Sequence, residues 1–155
     1  MARLPGNAGD EVADARGGSL RPADAPVGPT APGGGEPAFR FEKTEAWQRT
    51  LALTPRLYAV TAGFPDHERH GLGAQMRRAV VALSTNIAQG GGPSVSRDAG
   101  YFLGQAYAAT MELVCETEIA ARLGYVGADL RTALRQELYQ IATVLLALRK
   151  AAGVS

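Results

Sequence analysis

The sequence predicts an all-α fold, an antiparallel up-down-up-down four-helix bundle over residues 39–151 behind a disordered N-terminal arm, residues 1–38. Three observations predict it. From Phe39 onward the apolar residues recur at spacings of three and four, the period of a helical face, and no segment alternates with the period of two that marks a strand. Breaker clusters at Gly63-Phe64-Pro65, Gly90-Gly91-Gly92-Pro93 and Gly124-Tyr125-Val126-Gly127 cut that region into four pieces, and short links between helices force neighbours to run antiparallel. Residues 1–38 hold six of the nine prolines, Pro5, Pro22, Pro26, Pro29, Pro32 and Pro37, together with Gly33-Gly34-Gly35. So few large apolar side chains cannot offset the entropy of ordering such a segment. It is read as an extension without a packed structure, with recruitment of a partner as the less favoured role.

Composition bounds the rest. A chain of 155 residues with 46% hydrophobic and 20% charged residues is one soluble domain, and a net charge of +1 gives no whole-chain case for an electrostatic nucleic-acid binder. The single cysteine, Cys115, excludes an internal disulfide framework and a cysteine-based zinc site. No apolar run has the length of a signal peptide or a membrane span, so a cytoplasmic location with no membrane partner is expected.

The first helix is expected to be capped by Thr44, with Trp47, Leu51 and Tyr58 on one stripe and Leu53, Leu57 and Val60 on another. Pro55 lies inside it and predicts a kink near Leu51–Pro55. After a polar turn at Asp66 to His70, the second helix carries Leu72, Met76, Ala79, Val80, Leu83 and Ile87 on one face and stops at its glycines, which can take the left-handed conformation. A third helix, capped by Ser94 or Ser96 and ending before Gly124, has a core stripe of Phe102, Ala106, Ala109, Leu113, Thr117 and Ala120. A second stripe, Tyr107, Met111, Cys115 and Ile119, has no use inside a lone bundle. The fourth helix presents Leu130, Leu134, Leu138, Ile141, Leu145 and Leu148.

No reaction centre emerges, and an enzyme is not expected. His67 and His70 flank Glu68 at a spacing one residue short of the metalloprotease arrangement, so they read as exposed turn histidines. Glu112, Glu116 and Glu118 lack the Glu-x-x-His pairs of a di-iron bundle and read as solvated carboxylates or partners of Arg77, Arg78 or Arg122. Cys115 reads as a small buried hydrophobe. The glycine run follows a helix and lacks the Gly-Lys-Ser/Thr ending of a phosphate loop, which leaves a hinge. No cofactor, metal or small-molecule substrate is implied.

Two kinds of interaction residue remain. Tyr107, Met111, Cys115, Ile119, Leu53 and Leu57 are candidates for an oligomer interface, because apolar stripes that one bundle cannot bury mark contact surfaces. Arg77 and Arg78 point about 100° apart on their helix, one placed to pair inward with Glu112 or Glu116 and one facing solvent or a neighbouring subunit. With Arg56, Arg69, Arg122, Arg131 and Arg135 they are candidates for a nucleic-acid or subunit contact. These last five gather toward one end of the bundle against Asp66, Glu68 and Asp129, a local excess of two.

A set of residues spread over Phe41 to Lys150 carries a family resemblance: Trp47-Gln48, Tyr58, Phe64-Pro65, Glu68-Arg69, Gly71-Leu72, Gln75, Arg77-Arg78-Ala79, Asn86-Ile87-Ala88, Gly90, Phe102-Leu103, Glu112 and Leu123-Gly124-Tyr125. It resembles the small bacterial four helix bundle proteins, some encoded by intervening sequences inside large-subunit ribosomal RNA genes. These are related in fold to the accessory variability determinant of diversity-generating retroelements, a homopentamer that binds RNA and a reverse transcriptase. The chain departs from the family pattern at Gln89, where a glutamate is usual, at Gly92-Pro93, where an arginine is, and at Leu83-Ser84-Thr85. The resemblance implies a homopentamer of non-catalytic adaptor subunits that bind RNA, DNA or a nucleic-acid enzyme such as a reverse transcriptase. The alternative is a purely structural protein–protein interaction module with no nucleic-acid role.

Overall fold

The structure is a computed structural model that describes residues 38–91 and 98–153. The arm expected at 1–38 and the caps expected at Ser94 and Ser96 therefore lie outside the described residues, Ala38 excepted. Four helices account for nearly all of the rest: α1 Glu45–Ala62, α2 Leu72–Gly90, α3 Ala99–Arg122 and α4 Ala128–Ala151, with short 3₁₀ turns at Arg40–Lys43 and Asp66–Glu68. Among the described residues there is no strand.

Local chemistry sets the helix ends. The Thr44 hydroxyl caps α1 by accepting the Trp47 N–H at 3.4 Å, and it donates to the Phe41 carbonyl at 2.6 Å, so one side chain joins the entering turn to the helix. Pro55 does not divide α1, which runs unbroken past it. Both Pro55 and Leu51 are exposed residues on the outer side of α1. At the end of α2 the Gly91 backbone stays at φ −91°, so the expected left-handed stop does not occur at this residue. It occurs after α3, where Gly124 has φ +77° and the Tyr125 N–H returns to the Ala120 carbonyl at 2.9 Å, leaving only glycine free of strain at that position.

Each helix packs against its neighbours in sequence, α4 closes against α1, and the diagonal pairs α1/α3 and α2/α4 make no close backbone approach. The cross-section is a square in up-down-up-down order. The core is Leu53 and Leu57 from α1, Met76, Val80, Leu83 and Ile87 from α2, Leu113 from α3, and Leu134, Leu138, Ile141 and Leu145 from α4, all fully buried. Each contributes about 1.5 to 3 kcal/mol relative to exposure. The buried hydroxyls of Thr50, Thr110 and Thr117 donate to the carbonyls of Ala46, Ala106 and Leu113, so none is left unsatisfied.

The α2/α3 seam is the tightest because its residues are small: a Cβ on Gly90 would lie 2.9 Å from Leu103 Cγ. By contrast α1 and α4 are held by polar bridges, Arg49 to the Gln140 side chain at 2.6 Å and Arg56 to Glu137. Where α1 ends, Phe64 packs against Tyr125 with the rings tilted by 44° and their centres 5.3 Å apart, and Glu68 accepts the Leu72 N–H at 2.7 Å to cap α2. Among the described residues no helix is long and apolar enough to cross a membrane.

Candidate interaction surfaces

The arginines separate into three groups. Arg56 pairs with Glu137, Arg69 with Asp66 at 3.1 Å, and both Arg131 and Arg135 with Glu118 at 2.9 Å. Arg131 grips both Glu118 oxygens, and that hydrogen bonding, with the two positive charges, holds the Glu118 carboxyl below its ordinary range. Glu118 and Glu137 thus cancel the local excess of two expected among Arg56, Arg69, Arg122, Arg131 and Arg135. They were not counted in it because their register against α1 and α4 is a tertiary fact.

Arg77 forms the second group. Its guanidinium donates to the Thr61 hydroxyl at 3.1 Å and to the Arg69 carbonyl at 2.8 Å, so it ties α2 to the end of α1 and the following turn. Of the two adjacent arginines, Arg77 is therefore not the one that turns toward Glu112 or Glu116; its side chain goes the other way, toward α1. Arg78 and Arg122 are exposed, and neither has a carboxylate at ion-pair distance among the described residues. Arg78 is near enough for its charge to act on Glu116.

Glu116 is the one buried ionisable side chain among the described residues, 7% exposed, and its Oε2 has no hydrogen-bond partner. Burial, reinforced by the Glu112 charge and opposed by Arg78, pushes its carboxyl up to about 7. Periodicity hinted at this position, three residues after Leu113, but polarity argued against burial.

The apolar candidates fare unequally. Leu53 and Leu57 are fully buried within the protomer, so they belong to the core and offer no interface. Cys115, expected inside, is exposed. Residues four apart advance about 40° around a helix, so the stripe Tyr107, Met111, Cys115, Ile119 winds off the core. Tyr107 is half-buried beside α4, whereas Met111 and Ile119 are 38% and 43% exposed. Leu51 and Tyr58, on the Trp47 stripe of α1, are 42% and 43% exposed.

Two grooves collect this apolar surface. One, of about 640 Å³, lies along α1 and α2 between Tyr58, Ala74, Val81 and Ala82, with Arg77 and Arg78 on it. The other, of about 300 Å³, lies between α3 and α4 and is lined by Tyr107, Met111, Tyr139 and Leu146. In a square bundle these are opposite sides. The sequence did not single out Val81, Tyr139 or Leu146, which are 49%, 72% and 47% exposed.

The profile of one family, 23S rRNA-intervening sequence protein, matches residues 42–147. No curated protein matches the chain. The matched stretch begins before α1 and ends within the last turns of α4, so it takes in α1, α2 and α3 whole and most of α4. This chain belongs to the 23S rRNA-intervening sequence protein family.

Proposed function

We propose that the protein is a non-catalytic homo-oligomeric adaptor, five subunits by the family resemblance, whose ligand is RNA, DNA or a nucleic-acid enzyme such as a reverse transcriptase. The observation that carries the assembly is the pair of apolar grooves on opposite sides of the bundle. A subunit that buried one groove against an identical groove would leave the other wet, whereas unlike faces that meet in succession close into a ring. The nucleic-acid part rests on the family and on Arg122, an exposed guanidinium without a carboxylate partner among the described residues. Repeated around a ring, one such charge per subunit builds a field that attracts phosphate backbones.

The pairing of Arg56, Arg69, Arg131 and Arg135 with carboxylates favours a second reading, a purely structural module that binds another protein. Titration of a labelled single-stranded RNA with the full chain in rising salt separates the two. Affinity that falls linearly on a logarithmic salt scale, and falls further in Arg122→Ala, supports the first. No binding at low salt supports the second.

A further inference from the structure

We propose that Glu112 and Glu116 on α3 form a receiving site for the Arg78 guanidinium of a second copy of this chain. The inference rests on the oligomeric reading above and adds the residues that make the contact. Glu116 is 7% exposed, and its Oε2 is both buried and without a hydrogen-bond partner. Buried carboxylate oxygens in folded proteins are paired almost without exception, so a donor is missing from the single chain. Arg77 does not supply it, since its guanidinium is committed to Thr61 and Arg69. Glu112, one turn away on α3, is exposed and has no ion-pair partner among the described residues, so two carboxylates stand side by side. A planar guanidinium with five donors suits two neighbouring carboxylates better than a compact ammonium does.

The surroundings of donor and acceptor match as well. Beside the carboxylates on α3 stand the exposed side chains of Cys115 and Ile119, and around Arg78 lies the α1/α2 groove with Tyr58 and Val81. Each surface is therefore an apolar patch with charge of one sign, and the two signs are opposite. Arg78 of the same copy could turn toward Glu116, but that would leave both apolar patches in water. Contact between copies covers both patches and completes the Glu116 site in one step. The two surfaces differ, so the contact is head-to-tail and leaves each copy able to bind a further one.

Charge reversal tests this. Full-length Arg78→Glu and Glu112→Arg chains are purified separately and their assembly measured by sedimentation, alone and mixed, with helical content checked by circular dichroism. Alone, each sets like charges against each other between copies, and assembly weakens at least about tenfold. Mixed, every contact between unlike chains joins opposite charges, so assembly recovers above that of either variant alone, although a closed ring of five keeps at least one contact between like chains. Two outcomes overturn the proposal: single variants that assemble as the wild type does, and weakened variants that mixing does not rescue, which would place the pair within one copy or the contact elsewhere. If a reversal variant fails to fold, Glu112→Gln and Arg78→Gln remove charge without repulsion and decide the matter: a several-fold weakening in both supports the pair, and unchanged assembly refutes it. A wild-type chain that stays monomeric removes the oligomeric reading itself, and the proposal with it.

Discussion

Replacing Arg77 by alanine separates a structural arginine from an interaction arginine, because Arg77 and Arg78 are adjacent in sequence and differ entirely in their contacts. Arg77 donates to the Thr61 hydroxyl at 3.1 Å and the Arg69 carbonyl at 2.8 Å. The Thr61 hydroxyl also donates to the Tyr58 carbonyl at 3.1 Å and so keeps one bond after the substitution, while the Arg69 residue is exposed and its carbonyl is rehydrated. Each lost bond then costs about 1 kcal/mol, below the full value for a charged donor, giving about 2 kcal/mol in all. For a domain of this size that lowers Tm by roughly 10 °C. Arg78→Ala, with no hydrogen bond to lose, changes the stability of the unassembled chain by no more than about 0.5 kcal/mol. Thermal denaturation followed by circular dichroism, at a concentration low enough to keep the chain dissociated, measures both. A double-mutant cycle with Thr61→Val yields a coupling of about 1 kcal/mol. Arg77→Ala that melts with the wild type, or Arg78→Ala that loses more than Arg77→Ala, refutes the assignment.

Leu83→Ala removes a fully buried side chain from the centre of α2 and costs about 2 to 5 kcal/mol in denaturant unfolding; a loss under 1 kcal/mol would show that the core is not packed as described. Glu116 has a folded-state pKa raised from 4.5 to about 7, so the folded chain holds an extra proton between those values. Its contribution is complete below pH 4.5 and is lost as pH rises through about 7, by up to about 3 kcal/mol, and in the dissociated chain Glu116→Gln abolishes that fall. Identical pH profiles for variant and wild type would contradict the burial. Cys115 reacts with a thiol reagent without unfolding and reacts more slowly once the chain assembles. A rate indifferent to assembly would place the α3 strip outside the interface.

Much of the fold is legible in the sequence because helical burial is a one-dimensional signal. The α4 stripe from Leu134 to Leu145 and the α2 stripe from Met76 to Ile87 are buried where a period of 3.6 puts them, and Gly124 marks its turn by chemistry alone. The α3 stripe stepped strictly by four winds around the helix, so Ile119 leaves the core that Leu113 and Thr117 keep, as a stripe with no use inside one bundle should, and Cys115, read as a buried hydrophobe, leaves it too. Pro55 stands inside α1, where the sequence places it, and the helix runs on past it. The candidate site was legible as a set of arginines and not as a surface. Which carboxylate an arginine finds depends on the register of α3 against α4 and of α1 against α4, so Glu118 and Glu137 could not be assigned to Arg131, Arg135 and Arg56 beforehand. The burial of Glu116 is hinted at by its place three residues after Leu113 and is established only in three dimensions, where its side chain is 7% exposed.

The claim that this chain works as an assembly is tested most directly by its mass in solution. Multi-angle light scattering of the full chain across a concentration series that spans the micromolar range should return a multiple of the 16.2 kDa subunit, about 81 kDa for five copies, with one species dominant at the upper end. A constant 16.2 kDa at every concentration would contradict the account, because the exposed residues Tyr58, Val81, Met111, Ile119, Tyr139 and Leu146 would then be surface with no partner copy to cover it.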